Sequence, residues 1–287
     1  MKIGFVVLVY GKAQMARECL CYLKQLKGIE NASIVIVDNC SPDKTYDLLK
    51  KWFGNERNIY LLRNASNQGF AKGNNLGYVY ARNKLGCDFL IVMNSDVYIK
   101  DVSFINQLKD KAEELEKYEV VGPDIVNNDG HHSNPLATAS LSSTAIKRMV
   151  FLNDLSVLYY RSGLFRVFKK NKTRRNNAID QQSVLHNIMP HGACVIYTNK
   201  WVEKEDKAFY PGTFLFCEEL FLYDYIIANG YKSIYWPDLK VNHIGDGSID
   251  GDKPQKKIFI NSCHAKSLRL LLAFRKDIVG NWNKNKV

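Results

Sequence analysis

The stretch FLIVMNSDVYIK, residues Phe89–Lys100, runs from five consecutive apolar residues into Asn94-Ser95-Asp96 and then becomes apolar again. A short apolar run bounded by polar residues is typical of a strand that is covered on both faces, as in a parallel sheet. In open parallel sheets, ligands bind in the crevice at the carboxyl ends of the strands. We therefore predict that a rigid, buried strand holds the carboxylate of Asp96 at such an edge.

Residues 1–100 alternate short β-branched runs with segments of helical period. This pattern indicates βαβ units and a largely parallel sheet. The predicted strands are Ile3–Val9, Ser33–Val37, Ile59–Leu62 and Phe89–Met93, and the predicted helices are Met15–Leu26, Thr45–Phe53 and Phe70–Leu85. Because polar residues follow each of these strands, hydrogen-bonding and acidic groups should converge on one edge of the sheet.

The rest of the chain is less regular. The predicted elements are a helix over Val102–Tyr118, a strand starting at Gly122–Val126, ordered segments at Val195–Tyr197, Leu220–Asn229 and Lys232–Trp236, and a last helix over Pro254–Phe274. Between them, Asp129–Asn187 shows no clear period and is rich in Ser, Asn and basic residues. We expect variable structure that faces a partner in that segment.

Composition limits the class of protein. The 287 residues are 46% hydrophobic and 24% charged, enough to bury a full core. No window approaches 18 uninterrupted apolar residues and no signal-peptide pattern is apparent, so we expect a cytosolic chain. Seven cysteines without a C-x-x-C pair argue against a disulfide framework and a zinc site. The net charge of +11 favours an anionic partner: nucleic acid, a phospholipid surface or a phosphorylated small molecule.

The glycines exclude two nucleotide-binding motifs. Gly11 stands alone after the first strand, with neither a G-x-G-x-x-G turn nor a G-x-x-x-x-G-K-[ST] loop, so a nicotinamide dehydrogenase or a P-loop enzyme is disfavoured. Asp38, at the end of the second strand, can accept hydrogen bonds from an imide or a ribose. Gly69 and Gly73 either let a ligand approach the start of a helix or serve as plain turn and packing glycines.

Between about Lys2 and Ser248, the chain resembles family 2 glycosyltransferases, especially their rhamnosyltransferase-like bacterial branch. Seven blocks in family order carry the resemblance: VVLVYGK at 6–12, IVIVDNCSPD at 34–43, NASNQGFAKGNN at 64–75, FLIVMNSDV at 89–97, HGACVIY at 191–197, FLFCEELFL at 214–222 and GYKSIYWPDLKVNHIGDGS at 230–248. The resemblance implies an α/β protein with the GT-A fold, a Rossmann-like and mostly parallel sheet flanked by helices, with a C-terminal helical extension. It implies a nucleotide-sugar-binding half at 1–100 and an acceptor-binding, catalytic half at 101–250, followed by a basic amphipathic helix and tail at 251–287.

The resemblance also implies a metal site. Asn94-Ser95-Asp96 stands where the family has the Asp-x-Asp motif that holds a divalent metal against the donor diphosphate. Since the first acid is Asn here, Asp96 is the expected ligand, and His243 matches a histidine that completes the coordination in several members. Mn²⁺ or Mg²⁺ fits because both are hard ions that favour oxygen ligands. The alternatives are a helix cap for Asp96 and a core or surface role for His243.

Glu218 and Glu219 stand in place of the Glu-Asp motif of the family. By resemblance, Glu219 is the general base, which takes a proton from the acceptor hydroxyl during an inverting attack, and Glu218 supports it. Alternatively, both acids only stabilise the start of a helix. Phe221 replaces an acid that the family commonly has, which suggests a different acceptor pocket.

The remaining expected contacts with the nucleotide-sugar follow the matched blocks. They are Val9, Tyr10, Asp38, Asn39, Gly69, Asn74, Asn75, Asn94, Ser95, Asp96, His191, Gly192 and Ala193. Among these, Asn74-Asn75 is expected near the ribose and diphosphate, and the small residues after His191 are expected to admit the sugar ring.

The resulting hypothesis is a metal-dependent inverting transferase of hexosyl or rhamnosyl type. It would use a UDP- or dTDP-type donor and a saccharide acceptor, with a lipid-diphosphate-linked saccharide as one candidate, in assembly of a surface polysaccharide such as capsule or lipopolysaccharide. Leu158–Lys170 mixes aromatics with cations, which fits a membrane interface, single-stranded nucleic acid, or plain core packing of the rings. The resemblance implies action at the inner face of the bacterial membrane and therefore favours peripheral contact with an anionic membrane.

Two rival functions remain open at this point. A sugar nucleotidyltransferase would need a triphosphate loop near the first strand, which is absent. A non-catalytic module that binds nucleic acid or membrane would leave the carboxylates at the strand ends without a purpose.

Overall fold

The computed structural model describes residues 1–163, 183–245 and 253–284, which form a nine-stranded sheet with helices on both faces. The strands are β1 (Ile3–Val9), β2 (Ser33–Asp38), β3 (Ile59–Arg63), β4 (Phe89–Asn94), β5 (Val97–Tyr98), β6 (Val120–Asn127), β7 (Leu185–His186), β8 (Cys194–Tyr197) and β9 (Ser233–His243). The helices are α1 (Ala13–Lys24), α2 (Thr45–Phe53), α3 (Gly69–Asn83), α4 (Phe104–Asp110), α5 (Ala112–Leu115), α6 (Ser143–Ser162), α7 (Asn199–Lys204), α8 (Glu218–Ala228), α9 (Pro254–Phe274) and α10 (Ile278–Lys284).

The strand order is β3-β2-β1-β4-β8-β6-β9-β5, with β7 beside β9. The strands β3, β2, β1 and β4 are parallel, as predicted for residues 1–100. Strand β8 then runs antiparallel to both β4 and β6, while β6 and β9 are parallel to each other. The predicted α/β fold is confirmed, with a sheet that is parallel in its first half and mixed in its second.

The apolar runs of the strands divide their side chains between two cores. Phe5 and Val7 of β1 face a core that is closed by α1, α2, α4 and α5. Val6 faces the opposite core, which is closed by α3 and the helices after β8. Both faces of β1 are therefore dry, which explains why its sequence is a continuous apolar run rather than an alternating one.

Two elements differ in kind from the sequence prediction, while α1, α3 and α8 are shifted by one or two residues and β9 runs seven residues beyond the predicted Trp236. The predicted helix over Val102–Tyr118 is two short helices, because Lys111 between α4 and α5 leaves the helical region with φ −101° and ψ 7°. Asp129–Asn187, expected to be irregular, contains the 20-residue helix α6. This helix begins where the side chain of Ser142 accepts the N–H of Ala145, at 3.1 Å, and ends at Gly163, with φ 78°.

Helix α6 escaped the sequence analysis because it has no single apolar face. Of the predicted interfacial segment Leu158–Lys170, residues 164–170 lie outside the described residues. Among the described helices, none combines the length and the apolar character that crossing a bilayer requires.

Candidate active site

Asp96 and His243 meet because the two-residue strand β5 directly follows Asp96. In the antiparallel pairing of β5 with β9, Val97 lies opposite His243. The N–H of Ile244, just after β9, donates to the carbonyl oxygen of Asp96, just before β5, at 2.9 Å, and this bond continues the pairing of the two strands. As a result, Nε2 of His243 lies 3.4 Å from Oδ2 of Asp96. Sheet pairing thus brings together the two residues that were predicted as metal ligands.

The carboxylate of Asp96 is suited to hold a cation. The residue is only 6% exposed, and its Oδ1 is buried without a hydrogen-bond partner among the described residues. A buried carboxylate oxygen without a partner is costly unless a cation or another ligand compensates it. The described residues contain no cluster of three or more His, Cys, Asp or Glu side chains that could hold a metal. Asp96 and His243 could therefore supply two ligands, and oxygens of a bound phosphate and of water would supply the others.

The segment His191-Gly192-Ala193 lies beside this pair. The N–H of Asn94 donates to the carbonyl oxygen of Ala193 at 2.9 Å, and the rings of His191 and His243 lie with centroids 5.9 Å apart. The N–H of Ala193 donates to Nδ1 of His191 at 3.1 Å, so the proton of the neutral ring is assigned to Nε2. Burial lowers the pKa of His191, and the ring is therefore neutral at pH 7 with Nε2–H as a donor.

The two glutamates at the start of α8 occupy different environments. Glu218 is 3% exposed, and burial, together with the neighbouring Glu219, raises its pKa to about 8. Glu218 thus keeps its proton at neutral pH, which relieves repulsion between the two carboxyl groups. Glu219 instead accepts a hydrogen bond from the N–H of Gly192, 3.1 Å from its Oε1. A Cβ on Gly192 would lie 2.7 Å from that oxygen, so the glycine makes room for the carboxylate.

The turn before α8 is strained. Phe216 and Cys217 have φ values of 70° and 69°, a conformation that non-glycine residues rarely adopt. The ring of His264 on α9 stacks on Phe216 with centroids 4.2 Å apart, which helps to hold this turn. Backbone strain of this kind costs about 1–3 kcal/mol per residue and persists only where the surrounding structure imposes it. The strained turn leads directly into α8, where Glu218 is buried and Glu219 faces Gly192.

A cavity of about 610 Å³ opens at the carboxyl ends of β1 and β4. Six predicted contact residues line it: Tyr10, Asn39, Gly69, Asn94, Ser95 and Asp96. The other lining residues are Leu8, Gly11, Lys12, Met15, Asn67, Phe70, Phe214, Leu215, Gly245, Lys256 and Phe259. The cavity therefore draws on both predicted halves of the chain and on the C-terminal helix α9.

Asn39 holds one wall of the cavity in place. Its Nδ2 donates to Oδ1 of Asn67 and to the carbonyl oxygen of Gly69, each at 3.0 Å. Its Oδ1 accepts from the N–H of Gln68 at 3.1 Å and from Nδ2 of Asn64 at 2.9 Å. The side-chain amide of Asn39 thus organises the loop that leads into α3, and any contact with a ligand would add to that role.

Gly69 is required by a close backbone contact as well as by its conformation. Its φ is 80°, and a Cβ at this position would lie 2.2 Å from the carbonyl oxygen of Phe214. The N–H of Phe70 donates to that same oxygen at 2.7 Å. The start of α3 is therefore locked against the loop that precedes α8, which links the two walls of the cavity.

The other predicted contact residues do not line this cavity. Val9 and Asn74 are fully buried, and Asp38 is buried while its Oδ2 lies 3.3 Å from Nε of Arg63. The side-chain amide of Asn75 bonds to the backbone: it donates to the carbonyl oxygen of Phe209 at 2.7 Å and accepts from the N–H groups of residues 208 and 209. His191 lies beside the Asp96–His243 pair, with its ring 5.9 Å from that of His243, and the N–H of Gly192 contacts Glu219.

Phe221, where the family commonly has an acid, lies in the core, and the expected difference in the acceptor pocket stays a prediction. The side chain of Phe221 is fully buried and stacks on Tyr210, with centroids 5.0 Å apart. A phenylalanine at this position on α8 fills the core rather than a binding site.

Eleven lining residues were not among the predicted contacts, and four of them bear a charge or an exposed ring. Lys12 and Lys256 place cationic side chains in the lining, and the rings of Phe214 and Phe259 lie edge-to-face with centroids 6.5 Å apart. Both phenylalanines are partly exposed, at 43% and 45%. Lys12 directly follows Gly11 at the end of β1, a position that could have drawn attention to it. Nothing local in α9 distinguishes Lys256 from the other lysines of that helix.

The sheet order, the carboxylate at the end of β4 and the cavity beside it define a GT-A protein. The chain belongs to glycosyl transferase family 2, whose family model matches residues 5–177. The predicted membership in this family is confirmed, while the assignment to its rhamnosyltransferase-like branch stays a prediction.

Individual relatives are distant. The low-salt glycan biosynthesis hexosyltransferase Agl10 of Haloferax volcanii is 27% identical over 101 residues, which are 34% of this chain and 30% of that protein. The crystal structure of S. aureus TarS 1-349 superposes with a TM-score of 0.52 at 17% identity, over 85% of this chain and 60% of that one. The mannosyltransferase PcManGT from Pyrobaculum calidifontis, in complex with GDP-Man and Mn²⁺, gives a TM-score of 0.53 at 15% identity, over 95% and 74%. At these identities the structural likeness shows the fold alone.

Proposed function

We propose that the protein is a metal-dependent inverting glycosyltransferase, which moves a sugar from a nucleoside-diphosphate donor to a hydroxyl group of a saccharide acceptor. One observation carries the proposal. The buried Asp96, with its unpartnered Oδ1 and with His243 at 3.4 Å, lies on the wall of a cavity of about 610 Å³ at the carboxyl edge of the sheet.

The cavity has the chemistry that a nucleoside diphosphate needs. Lys12 and Lys256 line it and can neutralise phosphate oxygens, while Tyr10 offers an exposed ring for a base. PcManGT was solved with GDP-Man and Mn²⁺, and TarS 1-349 was solved with UDP, which supports a nucleotide-sugar donor here. We assign the donor to the UDP or dTDP type.

Asp96 and His243 would hold the metal. When bound, a divalent cation neutralises the charge that develops on the departing diphosphate. Carboxylate and phosphate oxygens suit both Mg²⁺ and Mn²⁺, but an imidazole ligand suits a transition metal better than Mg²⁺. The pairing of Asp96 with His243 therefore favours Mn²⁺.

Glu219 is the proposed general base. It takes the proton from the acceptor hydroxyl while that oxygen attacks the anomeric carbon on the side opposite the diphosphate, so the configuration inverts. Glu218 supports it by staying protonated, since its pKa is raised to about 8, so that it adds no second negative charge beside Glu219. His191 is neutral and holds a proton at Nε2, which can donate to a sugar hydroxyl.

The acceptor and the pathway rest on family resemblance. We infer a saccharide acceptor, with a lipid-diphosphate-linked saccharide as the candidate, in surface polysaccharide assembly at the inner face of a membrane. A sugar nucleotidyltransferase is the rival within enzymes, and a basic binding module is the rival outside them. The first would act on a nucleoside triphosphate, and the second would bind without the metal.

Calorimetry with UDP, dTDP and GDP, each with and without Mn²⁺, tests the donor site. We expect binding that requires Mn²⁺ in the wild type and is at least about tenfold weaker in Asp96→Asn. Nucleotide binding of equal strength without the metal would contradict the proposal. So would tighter binding to single-stranded DNA with a steep salt dependence.

Glu219→Gln tests the base. This variant should retain donor affinity and lose about 10³-fold or more in transfer, because it removes proton abstraction but leaves the cavity intact. Glu203→Gln on α7 is the control for the loss of one exposed acid. Unchanged turnover of Glu219→Gln would remove the residue from the role of base. A donor screen, read by mass spectrometry of hydrolysis products, would supply the substrate for this assay.

A further inference from the structure

Helix α6 presents a row of large apolar side chains to solvent. Phe151 is 65% exposed, Leu152 48%, Leu155 51% and Leu158 62%. These are four of the thirteen exposed large hydrophobic residues in the described part of the chain. Phe151, Leu155 and Leu158 are four and three residues apart and so lie on one face of the helix, and Leu152 borders that face. We call them the apolar stripe. A concentration of this kind on a surface marks an interaction site.

The other side of α6 already has its packing partners. Ile146 is fully buried in the second core, and Met149 and Val150 pack against that core. Helix α9 lies alongside, where the guanidinium of Arg269 pairs with the carboxylate of Asp154. Because α6 is apolar on both of its faces, its core contacts do not account for the apolar stripe.

The charges around the apolar stripe are mostly positive. Lys147 and Arg148 precede it and Arg161 follows it, and all three are exposed. Helices α6 and α9 together contain seven basic residues and a single acid, Asp154, which is paired with Arg269. Exposed apolar side chains flanked by Lys and Arg fit an interface with anionic lipid, where the apolar groups enter the acyl boundary and the cations meet headgroup phosphates.

The apolar stripe runs towards the mouth of the cavity. Arg275, just after α9, donates to the carbonyl oxygen of Leu141, just before α6, while Arg269 reaches Asp154 in the middle of α6. The two helices are therefore antiparallel, and the end of α6 that carries Leu158 lies towards the start of α9. That start contributes Lys256 and the partly exposed Phe259 to the cavity lining.

We propose that the apolar stripe of α6 is the surface by which the protein docks on an anionic lipid bilayer, with the cavity turned towards the membrane. The lipid contact stands on the stripe and its charges alone, whereas its use in catalysis rests on the proposed function. A second copy of the chain is the weaker occupant. A two-fold pairing of antiparallel α6 helices would bring Lys147 and Arg148 of one copy beside Arg161 of the other, so that like charges would face each other.

Co-sedimentation of the full chain with vesicles tests the proposal. Vesicles of phosphatidylcholine alone are compared with vesicles of equal parts phosphatidylcholine and phosphatidylglycerol, at about 0.1 M and about 0.5 M salt. We expect binding to the anionic vesicles that weakens at the higher salt concentration. The double variant Phe151→Ser/Leu155→Ser should bind them at least about tenfold more weakly, because it removes two side chains that would enter the acyl boundary.

Two further double variants sharpen the test. Lys147→Glu/Arg148→Glu should lose the preference for anionic vesicles. Leu136→Ser/Val279→Ser removes two exposed apolar side chains elsewhere, of 40% and 37% exposure, and should bind like the wild type. Circular dichroism melting and binding of UDP with Mn²⁺ verify that each variant is folded.

The outcomes separate the two proposals. Equal vesicle binding by the wild type and Phe151→Ser/Leu155→Ser, or no binding by either, would overturn the membrane surface. Light scattering that shows a dimer in the wild type and a monomer in that variant, without vesicle binding, would assign the stripe to a second copy instead. If vesicle binding is as expected but UDP does not bind with Mn²⁺, the proposed function fails while the docking surface stands.

Discussion

Replacing Glu218 by glutamine should remove a loss of stability that the wild type undergoes between acidic and neutral pH. Burial and the neighbouring Glu219 raise the pKa of Glu218 from 4.5 to about 8 in the folded chain. In the unfolded chain the carboxyl group ionises near its ordinary value. Unfolding therefore releases a proton between these two pH values, and the free energy of unfolding falls as the pH rises through that window. Glutamine stays neutral at every pH and does not contribute this loss.

The size of the effect follows from the displacement of the pKa. Each pH unit between the two pKa values costs about 1.4 kcal/mol of stability. At pH 7 the wild type should have lost about 3 kcal/mol relative to pH 4 through this residue, and the loss should stop growing above about pH 8. The free energy of unfolding of Glu218→Gln, relative to that of the wild type, should therefore rise by about 3 kcal/mol between pH 4 and pH 7.

Urea denaturation at a series of pH values, without metal or nucleotide, measures this difference. Glu113→Gln, on an exposed position of α5, is the control for removing one acid. The new amide also changes the free energy of unfolding by an amount that does not depend on pH. This constant difference between the two curves does not enter the comparison. If the two stability curves run parallel from pH 5 to pH 8, Glu218 does not hold its proton, and the division of roles between the two glutamates is wrong.

Three further substitutions test the cavity walls and the packing beside them. Gly69→Ala should destabilise the fold by about 2–4 kcal/mol, since its Cβ would meet a backbone oxygen at 2.2 Å. Gly86→Ala has open space and should cost about 1–2 kcal/mol for its positive φ alone. Urea denaturation of both variants therefore separates the cost of the steric clash from the cost of the backbone conformation. Lys256→Ala should weaken UDP binding about tenfold and uridine binding little, while Lys257→Ala, outside the cavity lining, should change neither in calorimetry. Asn75→Ala leaves two buried N–H groups and one carbonyl unpaired and should lower the free energy of unfolding by about 2–4 kcal/mol; a loss under about 0.5 kcal/mol would contradict its structural role.

Local sequence was sufficient for the first half of the sheet and for two helices. Strand β1 spans Ile3–Val9 as predicted, and β2, β3 and β4 begin at the predicted residues and extend one residue further. The predicted bounds of α2 and α9 agree with the structure. These elements were predictable because an apolar run or a helical period is a property of neighbouring residues. Helix α6 was not, because its second apolar face hides the period.

The sequence by itself determined which chemical groups stand at the strand ends, among them Asp96, and placed the chain in its family. Only the tertiary structure decided which distant groups meet: antiparallel β5 and β9 bring His243 to Asp96, and the cavity joins Lys12 near the start of the chain to Lys256 near its end. The structure also decided that Glu218 is protonated and Glu219 is not buried with it. The physical reason is the same in each case. A distance between residues far apart in the chain, and the removal of a side chain from water, depend on the packing of the whole sheet and its helices rather than on any local run of residues.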